Sequence, residues 1–245
     1  MSLTNKVALI TGATKGIGKS IAQHLSAQGA TVVLNYNHDT AAANSLLSNL
    51  PATATHLIQA DVSSITACQS LINETIQKFS RIDILILNAG ILPNKDLAGT
   101  TEEDFDRCFG VNVKGPYFLA QAAVPHMSAG GRVIFFSSSL TAASSVAPGY
   151  LLYLSTKGAI EQMTRVLAKD LGRRGITVNC VSPGPTGTEL FYAGKSQAVV
   201  DTIASLTPAN RIGRPEEIAD VVGFLAGEGS AWVNGQNIRV NGGMA

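Results

Sequence analysis

Seven short apolar or β-branched runs, separated by stretches of helical composition, recur along this chain and narrow the folds open to it. They are Val7 to Thr11, Thr31 to Asn35, His56 to Gln59, Ile82 to Leu87, Arg132 to Phe136, Thr177 to Val181 and Asn237 to Val240. Those in the first half are nearly continuous in apolar character and do not alternate, which suits strands covered on both faces. Between them, residues 18–28, 41–49, 65–79, 101–127, 153–171 and 216–225 carry helical composition or spacing. Parallel strands need crossover connections, and helices supply them. The expected fold class is therefore α/β, with a seven-stranded parallel sheet between two helical layers.

Local signals support several of these boundaries. Ser63 or Ser64 can cap the third helix, Thr100 or Thr101 with Glu103 the fourth, and Pro215 with Glu216 and Glu217 opens the last. Asp39 stands where it can cap the second. No linker or shift in composition divides residues 1–245, so one domain is expected. The segment 183–214 resists assignment: it opens Pro-Gly-Pro, scatters small residues, and has a modest helical pattern only around 197–206. A long segment of this kind in an α/β enzyme is often a lid, here expected over 185–212.

Composition excludes several classes of function. Of 245 residues, 45% are apolar and 14% charged, which suits a compact core. A formal net charge of +1, with no long run of Lys and Arg, predicts neither nucleic acid nor an anionic membrane as partner. No stretch approaches a membrane span, and the first apolar run is too short for a signal-peptide core, so a cytoplasmic location is expected. Cys68, Cys108 and Cys180 are odd in number and lack CxxC spacing, so buried thiols are expected in place of disulfides or a zinc site. His24, His38, His56 and His126 are isolated from other ligating residues, so no metal is expected, and surface or helix-end positions account for them.

After the first strand comes Thr11-Gly12-Ala13-Thr14-Lys15-Gly16-Ile17-Gly18, followed by a helix. Glycines at Gly12, Gly16 and Gly18 let the backbone turn tightly toward a pyrophosphate, whose charge the free N–H groups of the helix favour. The Gly-xxx-Gly-x-Gly spacing departs from the GxGxxG fingerprint, and a merely structural glycine turn is the competing account. At the end of the second strand, where a carboxylate would hold the ribose 2′-OH of NAD, the residues are Asn35-Tyr36-Asn37-His38. Lys15 can meet a 2′-phosphate, helped by Asn35, Tyr36 or Asn37, so NADP(H) is the expected cofactor. An ordinary solvated lysine is the alternative for Lys15.

Tyr153 and Lys157 lie four residues apart, on one face of a helix. An ammonium beside a phenol favours the phenolate, lowering a pKa of about 10 toward working pH. Alone, such a pair is common by chance. In combination, the chain resembles the short-chain dehydrogenase/reductase family over essentially its whole length. The landmarks occur in the family's order: the Thr11 to Gly18 loop, Asp61-Val62 after strand three, Asn88-Ala89-Gly90 after strand four, Asn112 within Val111 to Gly115, and the Ser and Tyr-xxx-Lys set. Pro183-Gly184 and Asn241-Gly242-Gly243 complete the series.

The resemblance implies a Rossmann fold and an NADP(H)-dependent interconversion of a ketone or aldehyde with an alcohol. Tyr153 is then the acid and base, Lys157 depresses its pKa and holds the nicotinamide ribose, and Asn112, interrupting its helix, positions a water leading from Lys157 to solvent. A serine hydroxyl holds the substrate oxygen. Three serines compete: counting from Arg132 selects Ser138, counting back from Tyr153 selects Ser139, and Ser137 stands beside them; insertions sit more easily in loops than in central strands, which favours Ser138. For the cofactor, the resemblance implies Gly12, Thr14, Lys15, Gly16, Ile17 and Gly18 at the phosphates, Asp61 and Val62 at the adenine, and Asn88, Ala89 and Gly90 at neighbouring strand ends. It also implies Pro183 and Gly184 at the nicotinamide pocket, and Thr188 or Thr186 at its carboxamide or the phosphate. Asp61 can alternatively cap a helix.

Phe135, Phe136 and Trp232 are expected in core or interface, and Phe191 and Tyr192 as an aromatic wall of the lid. Competing functions are a 3-oxoacyl thioester reductase, a sugar or polyol dehydrogenase, or a dinucleotide-binding module without catalysis; the last should lack one of Ser, Tyr, Lys or Asn, and all are present. The resemblance also implies a homo-oligomer, a tetramer or dimer, formed through the two long helices and the last strand.

Overall fold

A computed structural model of the chain describes residues 2–245. Its sheet has seven parallel strands in the order β3-β2-β1-β4-β5-β6-β7. The strands are β1 Val7–Ile10, β2 Thr31–Tyr36, β3 Thr55–Gln59, β4 Ile84–Leu87, β5 Arg132–Phe136, β6 Thr177–Pro183 and β7 Asn237–Val240. The expected doubly wound α/β fold is the observed one. The chain winds outward from β1 to β3, then returns to start β4 on the other side of β1, so the strand order reverses between β1 and β4.

The nine helices are α1 Gly16–Ala27, α2 Thr40–Leu47, α3 Ile65–Phe79, α4 Glu102–Phe109, α5 Gly115–Ala123, α6 Leu151–Gly172, α7 Glu189–Tyr192, α8 Gln197–Ser205 and α9 Pro215–Ala226, among the described residues. Successive strand residues feed opposite faces, as the two-residue period requires. Leu9, Val33, Leu85 and Phe135 pack with α3, α5 and α6, whereas Ala8, Ile10, Leu34, Ile86 and Ile134 pack with α1 and α9. Both faces are therefore buried, which accounts for the unbroken apolar runs in the central strands.

The caps sharpen the boundaries. Asp39 caps α2 by accepting from Ala42 N at 2.8 Å, and Ser64, not Ser63, caps α3. Thr101 forms a capping box whose partner is Asp104, not Glu103.

The helix expected over 101–127 is not continuous. It is interrupted by a π-helical turn at Gly110–Lys114 and ends in a 3-10 turn at Val124–His126. Asn112 lies in the π turn, where its side chain bonds Ile91 and Thr156 away from its own helix. Gly115 lets α5 pass directly over the end of β3, since a Cβ there would collide with Val62 O. The helix expected from Tyr153 starts earlier, at Leu151, after a 3-10 turn at Pro148–Tyr150.

Phe135 and Phe136 are core residues, but Trp232 is 100% exposed. Of the two positions expected for Trp232, core or interface, its exposure rules out the core. The short segment before β7 turns inward through Ser230, whose hydroxyl bonds Leu225 O and Gly227 O, and Trp232 is left pointing out. All three cysteines are free and buried. Among the described residues, no helix is long and apolar enough to cross a membrane.

Gly115→Ala is expected to destabilise the protein by roughly 1–3 kcal/mol, the usual cost of forcing an atom into filled space. Urea unfolding checks it; an unchanged midpoint would mean that α5 can move off Val62 at no cost.

Candidate active site

The carboxyl ends of β1, β4, β5 and β6 open on one edge of the sheet, and the Gly12–Gly18 loop, Asn88–Gly90, the serine turn and Pro183–Thr188 all stand there. Gly12 and Gly16 have φ values of +61° and +49°, a left-handed backbone that suits glycine. A Cβ on Gly12 would come within 3.0 Å of Ala89 Cα, and one on Gly16 within 3.0 Å of Thr188 Cγ2, so both glycines keep open a narrow passage. Gly18 allows α1 to start against the loop, because a Cβ there would run into Gly12 O. Lys15, the residue before α1, makes no side-chain cap bond, which leaves the first-turn N–H groups free to meet an anion. Asn88 sews β4 to β1 by donating to Thr11 O at 3.0 Å and Gly12 O at 3.1 Å. Thr14, Ile17 and Ala89 line this same loop region.

Around the expected 2′-phosphate position the side chains divide. Lys15 Nζ lies 2.6 Å from Asp39 Oδ2 and 3.7 Å from Glu189 Oε2. The lysine is an ion-pair partner on two sides. Tyr36 is half-buried and Asn37 exposed at the end of β2. Asn35 corrects the sequence expectation: it is 2% exposed, and its amide nitrogen faces the carbonyls of Tyr36, Ile58 and Ala60, so its donors join β2 to β3. Asp61 does not cap α3; its Oδ1 accepts from the backbone and hydroxyl of Ser63 in a local turn, beside buried Val62. At the β6 end, Thr186 turns inward and donates to Gly184 O at 2.9 Å. Thr188 caps α7 and stands over Gly16, so of the two threonines it is the one at the glycine loop. A Cβ on Gly184 would lie 2.7 Å from Asn241 Cα, which holds the Pro183-Gly184 corner against the strand-seven turn.

The three serines at the end of β5 face different ways. Ser137 Oγ donates to Glu161 Oε1 at 2.8 Å, and Ser139 Oγ to Ser182 O at 2.8 Å. Ser138 Oγ accepts from Leu140 N at 3.3 Å and stands near enough to the Tyr153 phenol to favour its ionised form. Lys157, 5% exposed, donates from Nζ to Phe136 O at 2.9 Å, with Nζ 5.4 Å from the centre of the Tyr153 ring. Asn112 grips Ile91 on both its N–H and its C=O at 2.9 Å and donates to Thr156 Oγ1 at 3.1 Å. Gly90 lies between Asn112 and Lys157: a Cβ there would be 3.3 Å from Asn112 Oδ1 and 3.6 Å from Lys157 Nζ.

Burial dominates the electrostatics. It drives the Tyr153 phenol above its ordinary value, against the lowering effect of the nearby Ser138 hydroxyl, and it pushes Lys157 down to about 8. Lys157 is not among the groups that set the direction of the phenol pKa, which burial raises. The arrangement supplies a neutral phenol, a hydroxyl beside it, and a desolvated amine, which together can deliver a proton to an oxygen and stabilise charge developing there.

Sequence reasoning overlooked two participants. Glu189 reaches Lys15 from α7, and Glu161 touches the serine turn. The Lys157-to-Glu161 interval of four residues, repeating that of Tyr153 to Lys157, was the available signal for the latter.

Residues 12–245 match the model of a protein family described as Enoyl-(Acyl carrier protein) reductase. The chain is 39% identical over 259 residues to an NADPH-dependent aldehyde reductase-like protein, chloroplastic, of Arabidopsis thaliana, covering 99% of this chain and 95% of the relative. It is 42% identical over 254 residues to versicolorin reductase 1 of Aspergillus parasiticus, covering 98% and 97%. The fold superposes with a TM-score of 0.94 on a short chain dehydrogenase from Burkholderia cenocepacia in complex with NADP, at 33% identity over 100% of this chain and 99% of that one. This chain belongs to the short-chain dehydrogenase/reductase family of oxidoreductases.

The depressed Lys157 pKa has a thermodynamic sign. Between about 8 and the ordinary 10.5, the unfolded chain holds a proton on Lys157 that the folded chain lacks, so stability gains as pH rises through that window. Relative to Lys157→Met, wild-type protein is expected to gain on the order of 3 kcal/mol across it. Parallel urea-unfolding curves for the two proteins from pH 8 to 10.5 would contradict this.

Proposed function

We propose that this protein reduces a ketone or aldehyde to an alcohol with NADPH, using Tyr153 as the proton donor. The single observation that carries the proposal is the buried pair of Tyr153 and Lys157, with Nζ 5.4 Å from the centre of the ring and the Ser138 hydroxyl nearby, next to a glycine cradle. The names of the relatives agree with it: one is a versicolorin reductase, one is named NADPH-dependent aldehyde reductase-like, and the Burkholderia structure holds NADP.

The cradle fits the cofactor by shape and charge, since the space that a Cβ at Gly12 or Gly16 would fill lies beside free helix N–H groups and Lys15. Gly12, Thr14, Lys15, Gly16, Ile17 and Gly18 would hold the phosphates, Asp61 and Val62 the adenine, and Ala89, Gly90, Pro183, Gly184 and Thr188 the nicotinamide half. Tyr36 and Asn37 would assist Lys15 at the 2′-phosphate. Bound there, NADPH supplies hydride to the carbonyl carbon. Ser138 donates a hydrogen bond to the carbonyl oxygen and holds it against Tyr153. The neutral phenol then passes its proton to that oxygen as negative charge develops. Lys157, as its ammonium, stabilises the resulting phenolate and holds the ribose hydroxyls. Asn112 anchors the π turn beside Lys157, from which a water would carry the replacement proton. Run backwards, the same groups oxidise an alcohol.

Residues 185–212, with α7 and α8, serve as the substrate lid, and exposed Leu190 and Tyr192 favour an apolar substrate. An acidic carrier protein would want free cations, but Arg211 and Arg214 both pair with Glu217, and Arg174 bonds the carbonyls of Val124 and Met127. A small carbonyl compound is therefore the substrate we favour. Exposed Phe105, Tyr117, Leu151 and Val166 on α4 to α6, together with Trp232, support a homo-oligomer.

Tyr153→Phe is expected to lower turnover of a carbonyl substrate by roughly 10²–10⁴-fold, the usual worth of a general acid, while NADPH binding followed by fluorescence stays the same. Retained turnover would remove Tyr153 from the chemistry. At the other end of the cofactor, Asp39→Asn keeps a residue able to cap α2 and deletes a negative charge beside Lys15. NADPH should then bind about fivefold more tightly, equivalent to ~1 kcal/mol of screened repulsion, with little change for NADH. Equal shifts for both nucleotides would mean that Lys15 does not meet the 2′-phosphate.

A further inference from the structure

Of the three serines at the end of β5, only Ser138 is turned to the phenol, and the reason lies outside the Ser-Tyr-Lys-Asn set. Glu161 sits on α6 one turn beyond Lys157 and two beyond Tyr153, so all three side chains leave the same face of the helix. Its Oε1 accepts from Ser137 Oγ at 2.8 Å and from Thr141 Oγ1 at 2.5 Å. These two donors flank Ser138 in the chain. One is the residue before it, and the other lies in the 3-10 turn Ser139–Ala142 that follows.

The remaining contacts of the turn are weaker or point elsewhere. Ser139 Oγ is engaged with Ser182 O on β6. Thr141 N reaches Ser138 O at 3.2 Å, and Leu140 N reaches Ser138 Oγ at 3.3 Å. Ser137 Oγ has Lys157 O as a second acceptor at 3.3 Å, and Thr141 Oγ1 has Ser138 O at 2.7 Å. Each hydroxyl carries one proton, so it can donate to one of its two acceptors at a time. A carboxylate is the stronger acceptor, and with both protons on Oε1 it ties the two sides of Ser138 to the helix that carries Tyr153 and Lys157. Without it, Thr141 falls back on Ser138 O, a bond within the turn itself, and Ser137 keeps only its longer bond to α6.

We infer that Glu161 is a positioning residue, holding the Ser138 turn at the distance from α6 at which its hydroxyl meets the Tyr153 phenol. The inference rests on the proposed roles of Ser138 and Tyr153. Catalysis by oriented groups is sensitive to displacements near 1 Å, so the expected effect is large relative to the exposure of the site.

The test compares Glu161→Leu, Glu161→Gln and the pair Ser137→Ala with Thr141→Val as NADPH complexes. The glutamine retains an oxygen able to accept both hydroxyls, and the hydroxyl-free pair disconnects the turn while leaving the carboxylate. With a ketone that the wild-type protein reduces, Glu161→Leu and the pair should each lower kcat roughly ten- to a hundredfold, with NADPH Kd and KM nearly unchanged. Glu161→Gln should recover most of the loss. Adding Glu161→Leu to the pair should cost nothing more, because the two act through one connection. A crystal structure of each complex should show the Ser138 Oγ to Tyr153 Oη contact lengthened in the two disconnected variants and kept in the glutamine variant. Wild-type kcat and an unmoved Ser138 in both disconnected variants would overturn the inference, and so would fully additive losses. If Glu161→Leu does not fold, the hydroxyl-free pair and the glutamine variant decide the matter alone. If wild-type protein reduces no carbonyl, the reaction proposed above fails, and the Ser138 to Tyr153 contact in the crystal structures still decides the role of Glu161.

Discussion

Parallel pairing of all seven strands is the constraint on which the rest of this molecule depends. Because every ladder runs the same way, every strand ends at the same edge, and the loops leaving β1, β4, β5 and β6 must share that edge. The reversal of strand order between β1 and β4 parts the flanking helices there, and the gap receives the glycine loop. Asn88 closes the constraint chemically: its amide bridges Thr11 and Gly12 to β4, so loop and strand end cannot drift apart. Hydrogen bonds to the backbone order other polar groups at this edge as well, among them Ser139 on Ser182 O and Lys157 on Phe136 O.

Two interior contacts turn that scaffold into a site. The π turn at Gly110–Lys114 brings Asn112 out of register with its helix, and the asparagine clamps the Ile91 backbone beside Lys157. On the other side, Glu161 and Ser182 hold the serine turn between α6 and β6. Tyr153 and Lys157 lie between these clamps. Their burial works in opposite directions on opposite charges: it keeps the phenol neutral and makes the ammonium costly. A neutral acid is what proton delivery to a carbonyl oxygen requires, and a poorly solvated cation responds strongly to a phenolate forming beside it.

Much of the fold was legible in the chain because strand and helix leave different periods. The apolar runs of β1, β2, β4 and β5 carried the parallel-sheet signal, and Asp39, Thr101 and Pro215 marked helix starts. What escaped were features set by partners far away in sequence. The inward turn of Asn35 depends on carbonyls at the end of β3, and the π geometry of the break expected at Asn112 depends on Ile91 and Thr156. By type Trp232 suited either core or interface, and the direction of its segment, set by Ser230 bonding back to α9, excludes the core.

The α/β class, the glycine loop, and the four-residue spacing that stacks Tyr153 and Lys157 could be read from the order of residues alone, because these depend on local geometry and near neighbours. Among three serines the sequence favoured Ser138 only by counting along the strand, and it left two threonines in competition. Tertiary structure separated them: Glu161 draws off Ser137, Ser182 draws off Ser139, and Gly184 draws off Thr186, leaving Ser138 toward the phenol and Thr188 over the glycines. It also made burial the main influence on the tyrosine pKa, since desolvation is a property of the packed interior and has no trace in the order of residues.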